Sequence, residues 1–472
     1  MTETKVTNDE LTMRCFLTAI MFFIIGTFLG FLGRWAISNP GMLENITFYR
    51  IVTHHPYILV TGWTTMLFMA LTNYLTPLVT KRPMFSETAA EVAYWLTTIG
   101  TFLLVLGVIP GFNGSHARYS ALPPLYHPFF PTMLGLCVCL VAVFVYGTNV
   151  LKTFMSIPEG EHKHTATWYF TMGAILGILF LTMAGVPFLL QSLVGLLSAE
   201  GDIAYSLDPL ISKHLIWWGL HSYVNQMINV SNLGMMYVVI PLLVGKAIYS
   251  EKGATWGLFF YLIVNNLAYF HHLLMDPILS WQKVLGQLFT WGLALTTALS
   301  IYNLMKTAIG GEKWGLAMKF IIAGLIGFIV EGSIGIFHST LVVQLFAHNT
   351  QAILGYVHAV LFSYITMCGI GALYALIPRI KGVPIYSKAL GEIHFWGSNF
   401  MVAGMVIVLM VAGYSGMPRN VQEYDPVFSP HMQLATAFAF GLFVSQLIGA
   451  YNLAMTALAP ATAAEKAKVA AA

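Results

Sequence analysis

Five histidines in four apolar segments are the residues of this chain best suited to metal chemistry. They are His55, His221, the adjacent pair His271 and His272, and His358. A polar side chain that binds metals is costly inside hydrocarbon and is usually kept there for function. Neutral imidazole nitrogens suit copper, iron and zinc. The sequence therefore predicts a metal or cofactor site buried in a membrane.

The adjacent pair is the most specific of these signals. Neighbouring residues on an α-helix point about 100° apart, so His271 and His272 can bind one metal ion only if the helix loosens there. A helix-breaking Asp276–Pro277 follows closely. Together with His221, the pair would form a reactive metal centre of three imidazoles with an open position.

The two remaining histidines suit a different role. His55 and His358 would hold a heme from opposite faces, as in six-coordinate hemes that transfer electrons. The plain alternative for each is a hydrogen bond to a neighbouring membrane helix. The sequence leaves both interpretations open.

The composition requires a membrane protein. Of the 472 residues, 57% are hydrophobic and 9% charged, whereas soluble domains carry about 25% charged residues. Twelve apolar segments are long enough to cross a bilayer, which takes roughly 18 residues. They lie near 15–37, 52–79, 88–110, 129–150, 167–198, 210–244, 254–275, 284–305, 315–341, 347–378, 389–413 and 432–458. We expect an all-α integral membrane protein, one bundle of twelve transmembrane helices over 1–472, with no evident internal repeat.

Lysine and arginine orient this bundle. Most of them fall at segment ends on the same side as the N-terminus, and an excess of positive charge marks the cytoplasmic side. Both termini are therefore expected in the cytoplasm. The net charge of +3 reflects this bias and does not argue for nucleic acid as a partner. In this topology the five histidines fall roughly within the outer third of the membrane, near its outer face.

Short motifs around these histidines resemble subunit I of the heme-copper oxidase superfamily over nearly the whole chain. The motifs occupy 52–55, 72–79, 215–221, 269–272, 347–350, 357–358 and 416–419. The resemblance implies a low-spin heme on His55 and His358 and a copper ion, or a non-heme iron, on the other three histidines. It also implies that Arg419 pairs with heme propionates.

Tyr356 is the first departure from the family pattern. It stands where the family has the histidine that binds a second, high-spin heme. A tyrosinate can bind heme iron, so Tyr356 is one candidate ligand. Two alternatives stay open: the high-spin heme is held from elsewhere in the chain, or it is absent and Tyr356 is a packing residue.

Asn225 is the second departure. Similar oxygen reductases carry a tyrosine four residues after the first copper histidine, and it supplies an electron and a proton when the O–O bond breaks. Here that position is Asn225, with Tyr223, Tyr261 and Tyr269 as possible substitutes. The better-known nitric oxide reductases carry a glutamate there, which is also missing. An amide can hydrogen-bond a bound ligand, but it supplies no oxidising equivalent.

Glu331 is the one acid placed deep in a segment. It resembles a glutamate near the active site of the C-type oxidases, which favours proton transfer; a hydrogen bond to neighbouring backbone is the alternative. The residues that line the family's cytoplasmic proton channels are largely replaced. We therefore expect protons to come from the outer side and the enzyme not to pump.

These departures lead to three functional hypotheses. The leading one is reduction of NO to N₂O, which needs two metals but no redox tyrosine. The second is an oxygen reductase with unusual ligation, and the third is a non-catalytic electron-transfer subunit that lost the high-spin heme. We expect a bacterial or archaeal plasma membrane. The electron donor would be a subunit with a heme c or cupredoxin domain, docking on the outer face near 199–213 and 414–431.

Overall fold

Twelve long helices make up the fold in the part of the chain that the structure describes. The computed structural model describes residues 6–109, 130–198, 208–310 and 314–460. The helices are α1 (Asp9–Ser38), α2 (45–80), α3 (Glu87–Leu106), α4 (Phe130–Met155), α5 (Thr165–Ser198), α6 (209–244), α7 (251–273), α8 (Ser280–Ala308), α9 (Leu316–His338), α10 (Gln351–Lys381), α11 (Lys388–Tyr414) and α12 (Ser429–Leu458). The predicted all-α membrane fold is confirmed, and most bounds agree with the predicted segments.

Eleven helices among the described residues are long and apolar enough to cross a membrane. The predicted segment that is not among these eleven is 254–275, which corresponds to α7. Its α-helical part, Glu251–Ala268, passes into a 3₁₀ helix, Tyr269–Leu273. The regular α-helix therefore ends before the adjacent histidines, which lie in the tighter turn of the 3₁₀ helix. The loosened helix end that the sequence suggested is thus replaced by a tighter turn.

Three helices form the centre of the bundle. The most apolar stretches of α2, α6 and α10 are 83%, 78% and 78% buried, whereas no other membrane-crossing helix exceeds 44%. The outer helices turn large apolar side chains such as Trp291 and Phe400 outward, as lipid-facing helices do. The three central helices carry His55, His221 and His358, so these histidines point into a shielded interior.

Each central helix contains a π-helical segment that begins one to four residues after its histidine. The segments are Leu59–Thr65, Tyr223–Asn229 and Ala359–Thr366. Such segments are rare and occur frequently at functional sites. In the first of them the Thr65 hydroxyl donates to the carbonyl of Val60 at 2.6 Å, five residues earlier, a contact that the wider turn allows. The sequence analysis did not foresee these segments.

The bundle is built from three similar units, which the sequence analysis missed. In each unit, a loop serine donates its backbone N–H to an asparagine two helices later, and the asparagine amide donates back to the serine carbonyl. A threonine one turn further accepts from the residue before the serine, and all these bonds are 2.8 to 3.1 Å long. The three clamps are Phe85, Ser86, Asn149 and Thr153; Tyr249, Ser250, Asn303 and Thr307; and Tyr386, Ser387, Asn452 and Thr456.

The central helices also end alike. Each has a proline one turn before a residue in the left-handed region, whose N–H bonds the proline carbonyl. The pairs are Pro77 and Lys81, Pro241 and Gly245, and Pro378 and Gly382. We call this end of the bundle, which carries the three serine loops, the clamp end. The opposite end, to which the five histidines lie closer, is the histidine end.

Candidate metal centre

Three histidines from two helices converge on one point. The ligand nitrogens of His221, His271 and His272 all lie within 4.8 Å of one another. His221 Nδ1 and His272 Nε2 are 3.2 Å apart. A single shared proton can join two ring nitrogens but not three, so three converging nitrogens in a buried site suit a cation.

Hydrogen bonds fix which nitrogen of His271 is available. Its Nδ1 lies 2.8 Å from the hydroxyl of Thr290, and that hydroxyl donates its own hydrogen to the carbonyl of Gly286. Thr290 must therefore accept, so Nδ1 of His271 carries the proton. The lone pair is left on Nε2, where it can bind a metal.

On His221, the nitrogen available to a metal is Nδ1. Its Nε2 lies 3.1 Å from the side-chain oxygen of Asn265 on α7, which can only accept. The lone pair is thus on Nδ1, the nitrogen that faces His272 and that accepts from the Asn225 amide at 3.3 Å. The ring of Trp217 lies parallel to that of His272, with centroids 4.3 Å apart, and fixes its plane.

Asn265, Thr290 and Trp217 hold the cluster, and the sequence analysis did not single them out. A usable signal existed for Asn265, which stands two helical turns before His272 and so shares its side of α7. Thr290 lies on α8, and no spacing in the sequence relates it to His271. Such supporting residues typically change metal affinity by about 10–100-fold.

We expect Asn265→Ala to lower copper affinity by about 10–100-fold, because His221 loses the acceptor that fixes its tautomer and ring orientation. Copper retained during titration with a chelator measures this. The neighbouring variant Asn266→Ala is the control, since Asn266 contacts Gln226 and the Leu262 carbonyl but none of the three histidines. Equal copper retention in both variants would contradict the assignment.

His55 and His358 face each other elsewhere in the interior. Their ring centroids are 6.4 Å apart and their planes differ by 19°, which is too far for direct stacking. Each ring bonds a backbone carbonyl through Nδ1 at 2.7 Å, His55 with Gly26 and His358 with Leu354. Because a carbonyl only accepts, Nε2 of both rings keeps its lone pair. Two such nitrogens across a gap fit the axial positions of one heme iron.

A cavity of about 1190 Å³ opens beside the three clustered histidines. At the histidine end it is lined by Lys213, Asp276 and Arg419, and it reaches inward to Asn229 and Tyr261. The three clustered histidines, Asn225, Glu331 and Tyr356 also line it. The structure therefore brings the predicted catalytic candidates to one space, large enough for a cofactor.

The side chains at the mouth are charged. Lys213 and Asp276 form an ion pair of 2.6 Å. Arg419 donates to the Asn349 side chain at 2.9 Å, as the resemblance to a propionate-binding arginine would allow. Burial, and secondarily the positive charges of Arg419 and Lys213, lower the pKa of His348. That ring is therefore neutral near pH 7.

Tyr223, Tyr261 and Tyr269 were the possible substitutes for the missing tyrosine. Tyr223 shares a short hydrogen bond with Thr65, and Tyr261 donates to the backbone carbonyl of Asn225 at 3.0 Å. Both line the cavity. Tyr269 instead contacts His214, at 3.4 Å. Tyr261 is thus the phenol bonded directly to the position where the family has its tyrosine.

A family model described as "Cytochrome C and Quinol oxidase polypeptide I" matches residues 10–458. The chain belongs to the heme-copper oxidase subunit I family. Membership implies heme and copper as cofactors, and the histidine sets above fit both. A multi-pass membrane location and oxidoreductase activity also follow from membership of the family.

Relatives of this subunit I are distant but cover most of it. It is 23% identical to a heme-copper oxidase subunit I+III of Aeropyrum pernix over 95% of the chain, and spans 57% of that relative's length. It is 25% identical to cytochrome c oxidase subunit 1 of Thermostichus vulcanus, covering 93% of the chain and 82% of the relative. A solved heme-copper terminal oxidase dimer shares the fold, with a TM-score of 0.83 and 21% identity, covering 96% of this chain and 85% of that one.

Proposed function

We propose that this chain is the catalytic subunit of a membrane terminal oxidase that reduces dioxygen to water. The observation that carries the proposal is the convergence of three imidazole lone pairs in one cavity, inside a fold that also presents a facing imidazole pair. The relatives described above are named as oxidases. Those names favour dioxygen over nitric oxide, which the sequence analysis had placed first.

The five histidines divide into two sets with separate tasks. Heme and copper, when bound, would supply electrons for the reduction of a diatomic substrate. His221, His271 and His272 would hold the copper. His55 and His358 would hold the low-spin heme, with their planes and tautomers fixed by the two backbone carbonyls.

Asn225 and Glu331 are the groups that act beside the metals. The Asn225 amide already reaches His221 Nδ1, so the same N–H can donate to a molecule bound next to that nitrogen. Glu331 lines the cavity and has no hydrogen-bond partner among the described residues, which leaves its carboxyl free to take up and release a proton. The Tyr261 phenol, which donates to the Asn225 carbonyl, is our candidate source of the electron and proton that the missing tyrosine would give.

Reduction of NO to N₂O is the second candidate, and Asn225 is the observation that favours it. NO coupling takes two electrons and two protons and needs no redox tyrosine. An amide at position 225 therefore does not prevent this reaction. Consumption of dioxygen and of NO by one purified preparation decides between the two. Dioxygen consumption is the expected result. Consumption of NO alone would replace the proposal, and consumption of neither, with metals bound, would identify a non-catalytic subunit.

We place electron entry at the histidine end. Exposed Glu423 and Asp425 lie in the loop before α12, where acidic side chains would steer a basic heme c or cupredoxin domain. The other expected docking segment, 199–213, lies largely outside the described residues. With both termini in the cytoplasm, the clamp end is cytoplasmic and this loop faces outward.

Proton uptake is proposed at the same end, without pumping. The cavity runs from Asp276 at the mouth to Glu331, so protons have a route from the outer side. Turnover in oriented vesicles with a pH dye on one side tests this, and the outer compartment should become alkaline. Uptake at the clamp end would overturn the proposal. The first residue to examine would then be Tyr237, whose buried hydroxyl has no partner among the described residues.

We expect Glu331→Gln to lower turnover by about 100-fold, because the amide cannot pass on a proton and acid–base groups contribute about 10²–10⁴-fold. Heme and copper per chain should stay unchanged, which separates a proton role from a structural one. Glu392→Gln is the control, since Glu392 pairs with Lys319 at the surface. Undiminished turnover in the Glu331 variant would leave that residue as a packing group.

A further inference from the structure

We propose that His338, and not Tyr356, supplies the protein ligand of the second heme. This inference rests on the proposed catalytic site with two hemes. His338 is the last residue of α9 and is 4% exposed. It lines the same cavity as Tyr356 and the three clustered histidines. The chain thus places an imidazole beside the position where the family's own heme-binding histidine is missing.

One nitrogen of His338 is engaged and the other is available. Nε2 lies 2.5 Å from the hydroxyl of Tyr414. Nδ1 is buried and has no hydrogen-bond partner among the described residues. A buried polar nitrogen without a partner is costly and calls for an explanation. His221 divides its nitrogens in the same way, with Nε2 on Asn265 and Nδ1 at the metal cluster.

Tyr356 is close to His338 but is placed differently. The two rings meet edge to face, with centroids 5.5 Å apart. The phenol oxygen lies against α9, where a methyl group at Gly335 would come within 2.8 Å of it. The glycine leaves room for the phenol, so the Tyr356 ring is packed against the helix that carries His338.

The chemistry of the two groups also favours His338. A neutral imidazole binds iron without losing a proton, whereas a phenol binds well only as the anion. Among the described residues, no lysine or arginine interacts with Tyr356 to offset such a charge, and Glu331 and Tyr261 would oppose it electrostatically. We therefore assign the iron-binding nitrogen to His338 and a packing role to Tyr356.

Heme per chain, measured as pyridine hemochrome on the purified complex, tests the assignment. The wild type should carry two hemes, His338→Ala one, and Tyr356→Phe two, with an unchanged high-spin ferric EPR signal. Imidazole in the buffer should restore the second heme to His338→Ala. The control is His394→Ala, a buried ring whose two nitrogens are bonded by Tyr374 and Gln446.

The outcomes distinguish failure of the proposed two-heme site from failure of the ligand assignment alone. A wild type with one heme would overturn the catalytic site itself. Two hemes in the wild type and in His338→Ala, with one in Tyr356→Phe, would overturn only the assignment and make Tyr356 the ligand. If His338→Ala loses both hemes, His338→Gln, which keeps a hydrogen-bonding group near Tyr414, is measured in the same way. Retention of two hemes there counts against His338.

Discussion

Replacing His271 by alanine should remove the copper ion and abolish dioxygen reduction, while the low-spin heme should stay bound. Replacing a residue that only orients a metal ligand lowers metal affinity or activity by about 10–100-fold. Loss of a ligand itself should have a larger effect. The two nitrogens left on His221 and His272 lie 3.2 Å apart. They can share a proton instead, which stabilises the metal-free form.

Copper per chain by mass spectrometry and heme per chain by absorbance measure this outcome together. The control is again His394→Ala, which removes a buried imidazole outside the cavity. Copper near one ion per chain in the His271 variant would show that the three histidines are not a metal site. Loss of heme along with copper would instead indicate general unfolding, and His271→Gln would then be examined.

His54→Ala and His55→Ala are expected to behave in opposite ways, although the two residues are neighbours. His55 presents a free Nε2 to His358 across a 6.4 Å gap. His54 has both nitrogens occupied, by the Arg50 carbonyl and the Thr132 hydroxyl, each at 2.8 Å. Only the His55 variant should lose the low-spin heme and, with it, electron delivery to the metal centre.

The difference is measured as the low-spin heme signal in the EPR spectrum and as the rate of reduction by an external donor. His54→Ala should keep the heme but lose stability by about 1–3 kcal/mol, because the Thr132 hydroxyl loses its partner inside the bundle. Loss of heme in the His54 variant alone would reverse the two assignments. If both variants lose the heme, this experiment does not distinguish the two residues. Heme retention in His358→Ala would then be measured.

The sequence was sufficient for the helices and for the grouping of histidines. Membrane segments are long and apolar, so their bounds follow from hydropathy alone. A departure from regular α-helix at His271–His272 was also expected, although Tyr269–Leu273 is a tighter 3₁₀ turn and not a loosened one. Asn265 and Thr290 were out of reach for a physical reason. Their contacts depend on the rotation of α7 and α8 about their axes, which packing decides and hydropathy does not record.

The repeat of the three clamps was not predicted from the sequence, for a different reason. Their residues recur with the same spacing from proline to serine in all three units, but the apolar residues between them vary freely because lipid and core accept many of them. A search for similarity over whole segments therefore finds no repeat. The substrate that was placed first, NO, rested on Asn225, which records what the site lacks rather than what it binds.

The three clamps also suggest the order in which the molecule is assembled. Each joins residues only 53 to 65 positions apart, so a group of helices can lock soon after it enters the membrane. His221, His271 and His272 belong to one such group, whereas His55 and His358 belong to the first and the last. The site proposed for copper can thus form midway through synthesis. A heme held by His55 and His358 would have to wait for the final helices, and it would fasten the beginning of the polypeptide to its end.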